Sequence, residues 1–206
     1  MLRTTECWNH NTHYHRHLPR WAPPPWGRVL DVGCGEGLLT RRMAPFAREV
    51  VGVDADETMI DRARELAPAL TYVRGDALTA DVGGPFDLVT CVAALHHLGL
   101  SPGLERLRDL VAPGGALVVV GLARPGTARD WLWSGIGVVA NVVGRHRRGA
   151  WDPGAPVRDP AESYADVALA TRHALPRARV RRHLYWRYSI VWHAPELSPA
   201  DDTSGG

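Results

Sequence analysis

A chain of 206 residues, 45% of them hydrophobic, suits one domain, large enough to bury a core without help from disulfides or metal. Its 24 basic residues, all arginine, against 22 acidic ones leave a net charge of +2, which gives no overall pull toward phosphate backbones and makes nucleic acid an unexpected partner. Cys7, Cys34 and Cys91 are too few and scattered for a disulfide framework, and neither a leader-like apolar opening nor a run of about 18 apolar residues is present, so a soluble cytoplasmic protein is expected.

Residues 1–27 read as an N-terminal arm. His10, His13, His15 and His17 are interleaved with Asn11 and Tyr14, and Pro23, Pro24 and Pro25 form a short stiff spacer before the first strand. On a helix His13 and His17 would share a face, a spacing able to bind zinc or nickel. No third ligand follows at a structural-site spacing, so no metal is expected.

From Arg28 onward apolar strands alternate with helical patterns, as in a parallel sheet covered on both faces. The stretch VLDVGCGEG at 29–37 runs a strand into three glycines and then into the helical LLTRRM of 38–43. Glycine lets such a loop take left-handed backbone angles and lie close to a ligand at the helix amino-terminus. A dinucleotide fingerprint would need glycine at 38, where Leu38 stands; an acid-x-Gly-x-Gly-x-Gly pattern from Asp31 is complete. The second strand, VVGVD at 50–54, ends on Asp54, a carboxylate able to accept both hydroxyls of a ribose in NAD or another nucleoside cofactor. Met59, Ile60, Ala63 and Leu66 follow at helical spacing as core. The third strand closes on VRGD at 73–76 and the fourth is FDLVTC at 86–91, with only about ten residues between them, too few for a full helical crossover. Ser101 as cap and Pro102 at the first helical position open a helix carrying Leu104, Leu107, Leu110 and Val111. LVAPGGALVVV at 110–120 then enters the fifth strand.

In order and spacing, these five stretches resemble the successive motifs of class I S-adenosylmethionine-dependent methyltransferases, over residues 28–122. The resemblance implies an α/β, Rossmann-like fold: a seven-stranded, mostly parallel sheet, its last strand antiparallel, with helices on both faces. It implies S-adenosyl-L-methionine as cofactor, cradled by Gly33, Cys34, Gly35 and Gly37, with Asp31 near the amino group and Asp54 on the ribose. Ala55 and Met59 would line the adenine, Asp76 with Ala77 would meet its amino group, and Cys91 and Val92 would end beneath the sulfonium. Met59 also reads as core, and Asp31 as a tie within the loop. Cys91 reads as packing, since no neighbouring group is evident to lower its pKa. His96 and His97 lie just past the fourth strand, where an imidazole titrating near neutrality can act as general base or simply hydrogen-bond its loop. Tyr14, His13 and Asn11 are the arm's candidates to meet the acceptor.

Thr127 to Asp130 has capping-box character and opens an apolar segment, residues 131–144, flanked by Arg145, Arg147 and Arg148. It is too short to span a bilayer; it suits a core helix, a lid over an apolar acceptor, or a weak interfacial contact. Asp159 to Glu162 reads as the start of a helix with Tyr164, Val167, Ala168 and Thr171 on one face. Residues 179–186 and 188–192, where aromatic and β-branched residues alternate with arginine, read as two tightly joined strands. The methyltransferase domain is expected over 28–194 and a disordered tail over 195–206. The expected activity is methyl transfer to a small aromatic or otherwise apolar acceptor. The rivals are an RNA methyltransferase, which lacks here the Asn/Asp-Pro-Pro-aromatic motif after the fourth strand, and a non-catalytic cofactor-binding or complex-forming protein.

Overall fold

The computed structural model describes residues 12–124, 160–183 and 187–196. Its strands are β1 (Trp26–Val32), β2 (Ala47–Asp54), β3 (Thr71–Arg74), β4 (Phe86–Val92), β5 (Val111–Leu122), β6 (Arg179–Arg182) and β7 (Arg187–His193). They form one seven-stranded sheet in the order β3-β2-β1-β4-β5-β7-β6. β1 to β5 pair in parallel, and β7 inserts antiparallel between β5 and β6. This is the expected architecture. The 75–85 connection holds turns and no helix, as its length dictates.

Alternation along the strands divides the core between the two faces. Val29, Val50, Leu88, Ala116 and Val118 pack beneath α2 (Leu18–Trp21) and α3 (Leu38–Met43), through Leu18, Ala22, Leu39 and Met43. On the other face Leu30, Val51, Val89, Leu117, Val119 and Ile190 meet Leu104 and Leu107 of a helix at Leu100–Asp109, and Val167 and Ala174 of one at Tyr164–Ala174. With α1 (Thr12–His15), α4 (Glu57–Leu66) and α5 (Leu95–Leu98), these last two are α6 and α7.

Three local expectations are corrected. Leu66, the last residue of α4, is 51% exposed, because only Met59, Ile60 and Ala63 fall on the packed face. α6 starts at Leu100 with Gly99 as its cap (φ +76°), placing Ser101 and Pro102 inside the first turn, where proline's missing N–H costs no intrahelical bond. α7 is capped by Ser163, not by the residues at 159–162: the Asp166 N–H donates to the Ser163 hydroxyl while the Ser163 N–H donates to Asp166, a reciprocal capping box. From residue 12 on, the arm packs onto the sheet, with Leu18 and Ala22 in the core and the Trp26 indole donating to the Ala22 carbonyl at 3.2 Å across the prolines. His10, Asn11, the 127–144 segment, and the tail beyond 196 lie outside the described residues.

Candidate active site

The strand order reverses between β1 and β4, so the loop after β1 opens at the crevice where doubly wound sheets take their ligands. Gly33, Gly35 and Gly37 adopt φ of +69°, +53° and +73°. Their surroundings differ. A side chain on Gly33 would strike Ala94 and one on Gly37 the Tyr72 phenol, whereas a Cβ on Gly35 meets no atom within 4 Å. Gly33 and Gly37 therefore serve the loop's own packing, while Gly35 leaves main chain bare toward open space, a cradle of the kind a cofactor fills.

β2 holds this loop. The N–H groups of Gly33 and Cys34 donate to the Val53 carbonyl at 2.8 and 3.1 Å. Gly35 N–H donates to one oxygen of Asp54 at 2.8 Å and Asp56 N–H to the other at 2.9 Å. Each carboxylate oxygen keeps acceptor capacity, enough for a vicinal diol. From the side, Glu36 pairs with Arg62 at 2.9 Å and stands 3.8 Å from Arg41, pinning the loop between α3 and α4. Asp76 is exposed beyond β3, where its carboxylate accepts from Leu78 N–H at 2.9 Å; the Gly75 N–H donates to the Asp54 carbonyl at 2.9 Å, bringing the two acids to one edge. Ala55 is exposed there, Ala77 half-buried and Met59 buried.

Asp31, 2% exposed, accepts from Thr40 Oγ1 at 2.7 Å and from Thr90 Oγ1 at 2.9 Å. It thus ties β1 to α3 and β4 beneath the loop. Burial, the dominant effect, pushes its carboxyl up to about 6 against the pull of those hydrogen bonds. Neither threonine was singled out from sequence, since only the fold brings them to Asp31. Burial likewise raises both described thiols, that of Cys91 to about 12 and that of Cys34 well beyond the ordinary cysteine range, which leaves them protonated and unreactive.

The carboxyl edge of β4 carries the other candidates. Ala93 sits at φ +58°, a left-handed conformation unusual for a residue with a side chain, and its N–H donates to the Val120 carbonyl at 2.7 Å. His96 is half-buried and His97 exposed on α5, with ring centroids 4.1 Å apart. Across the crevice Tyr14, 4% exposed, packs on Val120 with Val92 and Trp21 alongside. His13 lies 5.0 Å from Tyr14, His17 stacks on Trp21 at 5.5 Å, and His183, just past β6, lies 5.3 Å from Tyr14 and 5.9 Å from Trp21. His183 and Trp21 were not picked from sequence: opposite ends of the chain meet here only because β7 enters the sheet beside β5. The arm is anchored through His15, buried and accepting from Arg42 of α3 at 3.0 Å. Burial, then the Arg42 charge, lowers its pKa to about 3. Among the described residues no group of three or more His, Cys, Asp or Glu side chains is placed to hold a metal ion, and no helix is long and apolar enough to cross a membrane.

Comparison with known proteins agrees with this geometry. The family described as "Methyltransferase domain" matches residues 29–115. An uncharacterized methyltransferase of Mycobacterium tuberculosis is 37% identical over 193 residues, covering 91% of this chain and 98% of its own. A ubiquinone biosynthesis O-methyltransferase of Chelativorans sp. is 35% identical over 113 residues, 52% of this chain and 45% of that protein. Among solved structures, the N-methyltransferase NodS of Bradyrhizobium japonicum in complex with S-adenosyl-L-homocysteine superposes with a TM-score of 0.62 at 19% identity, covering 89% of this chain and 87% of NodS.

Proposed function

The chain belongs to the class I S-adenosylmethionine-dependent methyltransferases, and from that premise we propose that it methylates a small, aromatic or otherwise apolar acceptor held between the arm and the β4–β5 edge. The observation that carries this reading is the cluster of half-buried rings His17, Trp21 and His183 around buried Tyr14, beside half-buried Val92. Such a surface gains from burying an apolar ring and offers it offset or edge-on stacking.

S-adenosylmethionine, when bound, supplies a methyl group already activated by a sulfonium. Gly33, Cys34, Gly35 and Gly37 with Asp31 would take its methionine end, Asp54 the ribose, and Ala55, Met59, Asp76 and Ala77 the adenine; Cys91 and Val92 would floor the methyl. The protein's remaining work is to align the acceptor and keep water out. Alignment can supply about 7–11 kcal/mol, whereas a general base contributes about 10²–10⁴-fold, roughly 3–5 kcal/mol. His97, His96, Tyr14 and His13 are therefore assigned to orienting or deprotonating the acceptor, in second place to the cradle. The absence of a Pro-Pro-aromatic motif after β4 disfavours an RNA base as acceptor.

The test is turnover, read as S-adenosylhomocysteine formed, on a phenol against an aliphatic amino alcohol of similar size. A ring worth about 1.5–3 kcal/mol of burial should raise kcat/KM roughly 10–150-fold. Equal rates on the two would refute the aromatic reading. His97→Ala should slow the preferred reaction by no more than about 10²–10⁴-fold with cofactor affinity unchanged.

A further inference from the structure

The β6 end of the sheet carries charge out of proportion to the rest of the chain. Residues 167–195 hold six arginines and no aspartate or glutamate, in a protein whose net charge is only +2. Ion pairs among the described residues run from Arg28–Glu49 to Arg108–Asp109, and none involves Arg172, Arg177, Arg179 or Arg181. All four are exposed. The topology gathers them at one edge. Val180 and Arg182 of the edge strand β6 pair with Ile190 and Tyr188, so their side chains stand on the α7 face, and the Arg182 guanidinium lies 3.9 Å over the ring of Tyr164. On α7, Leu169, Arg172 and His173 share one exposed face, three and four residues apart. Arg177 stands in the turn between α7 and β6, while Arg179 and Arg181 rim the strand from its other side. There the surface ends, because His183 lies against Tyr14 and meets the buried Ser189 hydroxyl at 2.7 Å.

Two features mark this edge as more than solvated charge. Arg177 adopts φ +65° in a turn that begins Leu175-Pro176 and is closed by the Ala178 N–H donating to the Leu175 carbonyl at 3.1 Å. That third turn position ordinarily takes glycine or asparagine, so the backbone gains nothing from an arginine there. Leu169 at 51% and Val180 at 36% are, with Leu66, the exposed large hydrophobics of the described residues, and both lie among these arginines. We propose that the α7–β6 surface seats the protein on an anionic lipid bilayer, its arginines meeting headgroup phosphates while Leu169 and Val180 enter the acyl boundary. The inference does not depend on which acceptor is methylated. A second copy is a poor occupant, since edge-to-edge pairing would set arginine against arginine along β6. Single-stranded nucleic acid calls for exposed rings to stack its bases, and Tyr164, the ring at this surface, is half-buried under Arg182. A fluid headgroup layer receives scattered guanidinium and aliphatic side chains without needing a shaped pocket.

The experiment is sedimentation of the full chain with vesicles of phosphatidylcholine, alone or mixed equally with phosphatidylglycerol, at low and high salt. Wild type should bind only the anionic vesicles, and high salt should release it. Arg179→Ala with Arg181→Ala should weaken binding about 25-fold, at about fivefold per arginine. Leu169→Gln should weaken it roughly tenfold, the low end for burying a leucine side chain. Arg177→Gly should lose about fivefold while its Tm holds or rises, because glycine takes the left-handed conformation freely. Arg64→Ala with Arg74→Ala removes the same charge from α4 and β3 at the opposite edge of the sheet, and should leave binding within about twofold. Tm and S-adenosylhomocysteine affinity report whether each variant is folded. No binding to anionic vesicles at low salt, binding that survives loss of Arg179 and Arg181, or an equal loss in the opposite-edge control overturns the proposal. Binding to polyuridine or polyglutamate without binding to vesicles also overturns it, and names nucleic acid or an acidic protein as the occupant instead.

Discussion

Replacing Gly35 with alanine separates the cofactor cradle from the loop's own stability. The left-handed conformation at φ +53° costs an L-residue roughly 1–2 kcal/mol. The added methyl meets nothing in the protein, so no clash is added to that cost. For a domain of this size, 1 kcal/mol lowers Tm by roughly 2–4 °C, so Gly35→Ala should melt no more than about 8 °C below wild type. The Gly35 N–H bond to Asp54 survives, since alanine retains the donor. If cofactor lies along this bare main chain, the methyl occupies its contact surface, and overpacking of about 1–3 kcal/mol weakens binding roughly 5–150-fold. Gly33→Ala is the contrast: its Cβ collides with Ala94, so the loss should fall on folding first. Thermal melts with calorimetric titration of S-adenosylmethionine give both quantities. A folded Gly35→Ala protein that binds cofactor like the wild type would refute the cradle.

Asp54→Ala should weaken S-adenosylmethionine binding roughly 10–150-fold, from about 1.5–3 kcal/mol for a hydrogen bond to a charged group, with some added loosening of the loop because Gly35 and Asp56 lose their acceptor; undiminished affinity removes Asp54 from the site. Two buried groups set opposite pH dependences of stability. His15 falls from 6.5 unfolded to about 3 folded, so the unfolded state binds more protons and up to roughly 4–5 kcal/mol is lost as pH falls from about 6.5 to 3. Asp31 rises from 3.8 to about 6, so the folded state holds its proton more tightly, and about 3 kcal/mol is lost as pH rises over that interval. Denaturant melts of His15→Gln should therefore show a smaller loss than wild type between pH 6 and 3.5, and parallel profiles would refute the assignment to His15.

What was legible in the chain depended on whether a piece of chemistry is contiguous. The glycine loop and Asp54 lie within strand–turn–helix units, and their backbone demands appear as residue types: three left-handed positions, three glycines. The alternation that buries both faces of β1 to β5 also fixed the sheet class. Helix ends were less legible because several residues compete to cap: Ser101 and Gly99 both qualify by type, and only the path out of α5, with Gly99 at φ +76°, decides between them. Leu66 continued a helical stripe on paper, yet α4 ends where the sheet no longer covers it. Least legible was the acceptor side. Tyr14 was visible as a candidate because it sits in an unusual arm, whereas His183 was masked by the arginines around it and Ser189 by lying inside a strand. Their contact needs β7 to reverse direction and slot between β5 and β6, a long-range pairing that no local pattern encodes. The contacts of the arm with the last strands are thus written in pairings between distant segments while the glycine loop is written in one stretch of chain, so a sequence can show its loop plainly and still hide which residues its final strands bring to Tyr14.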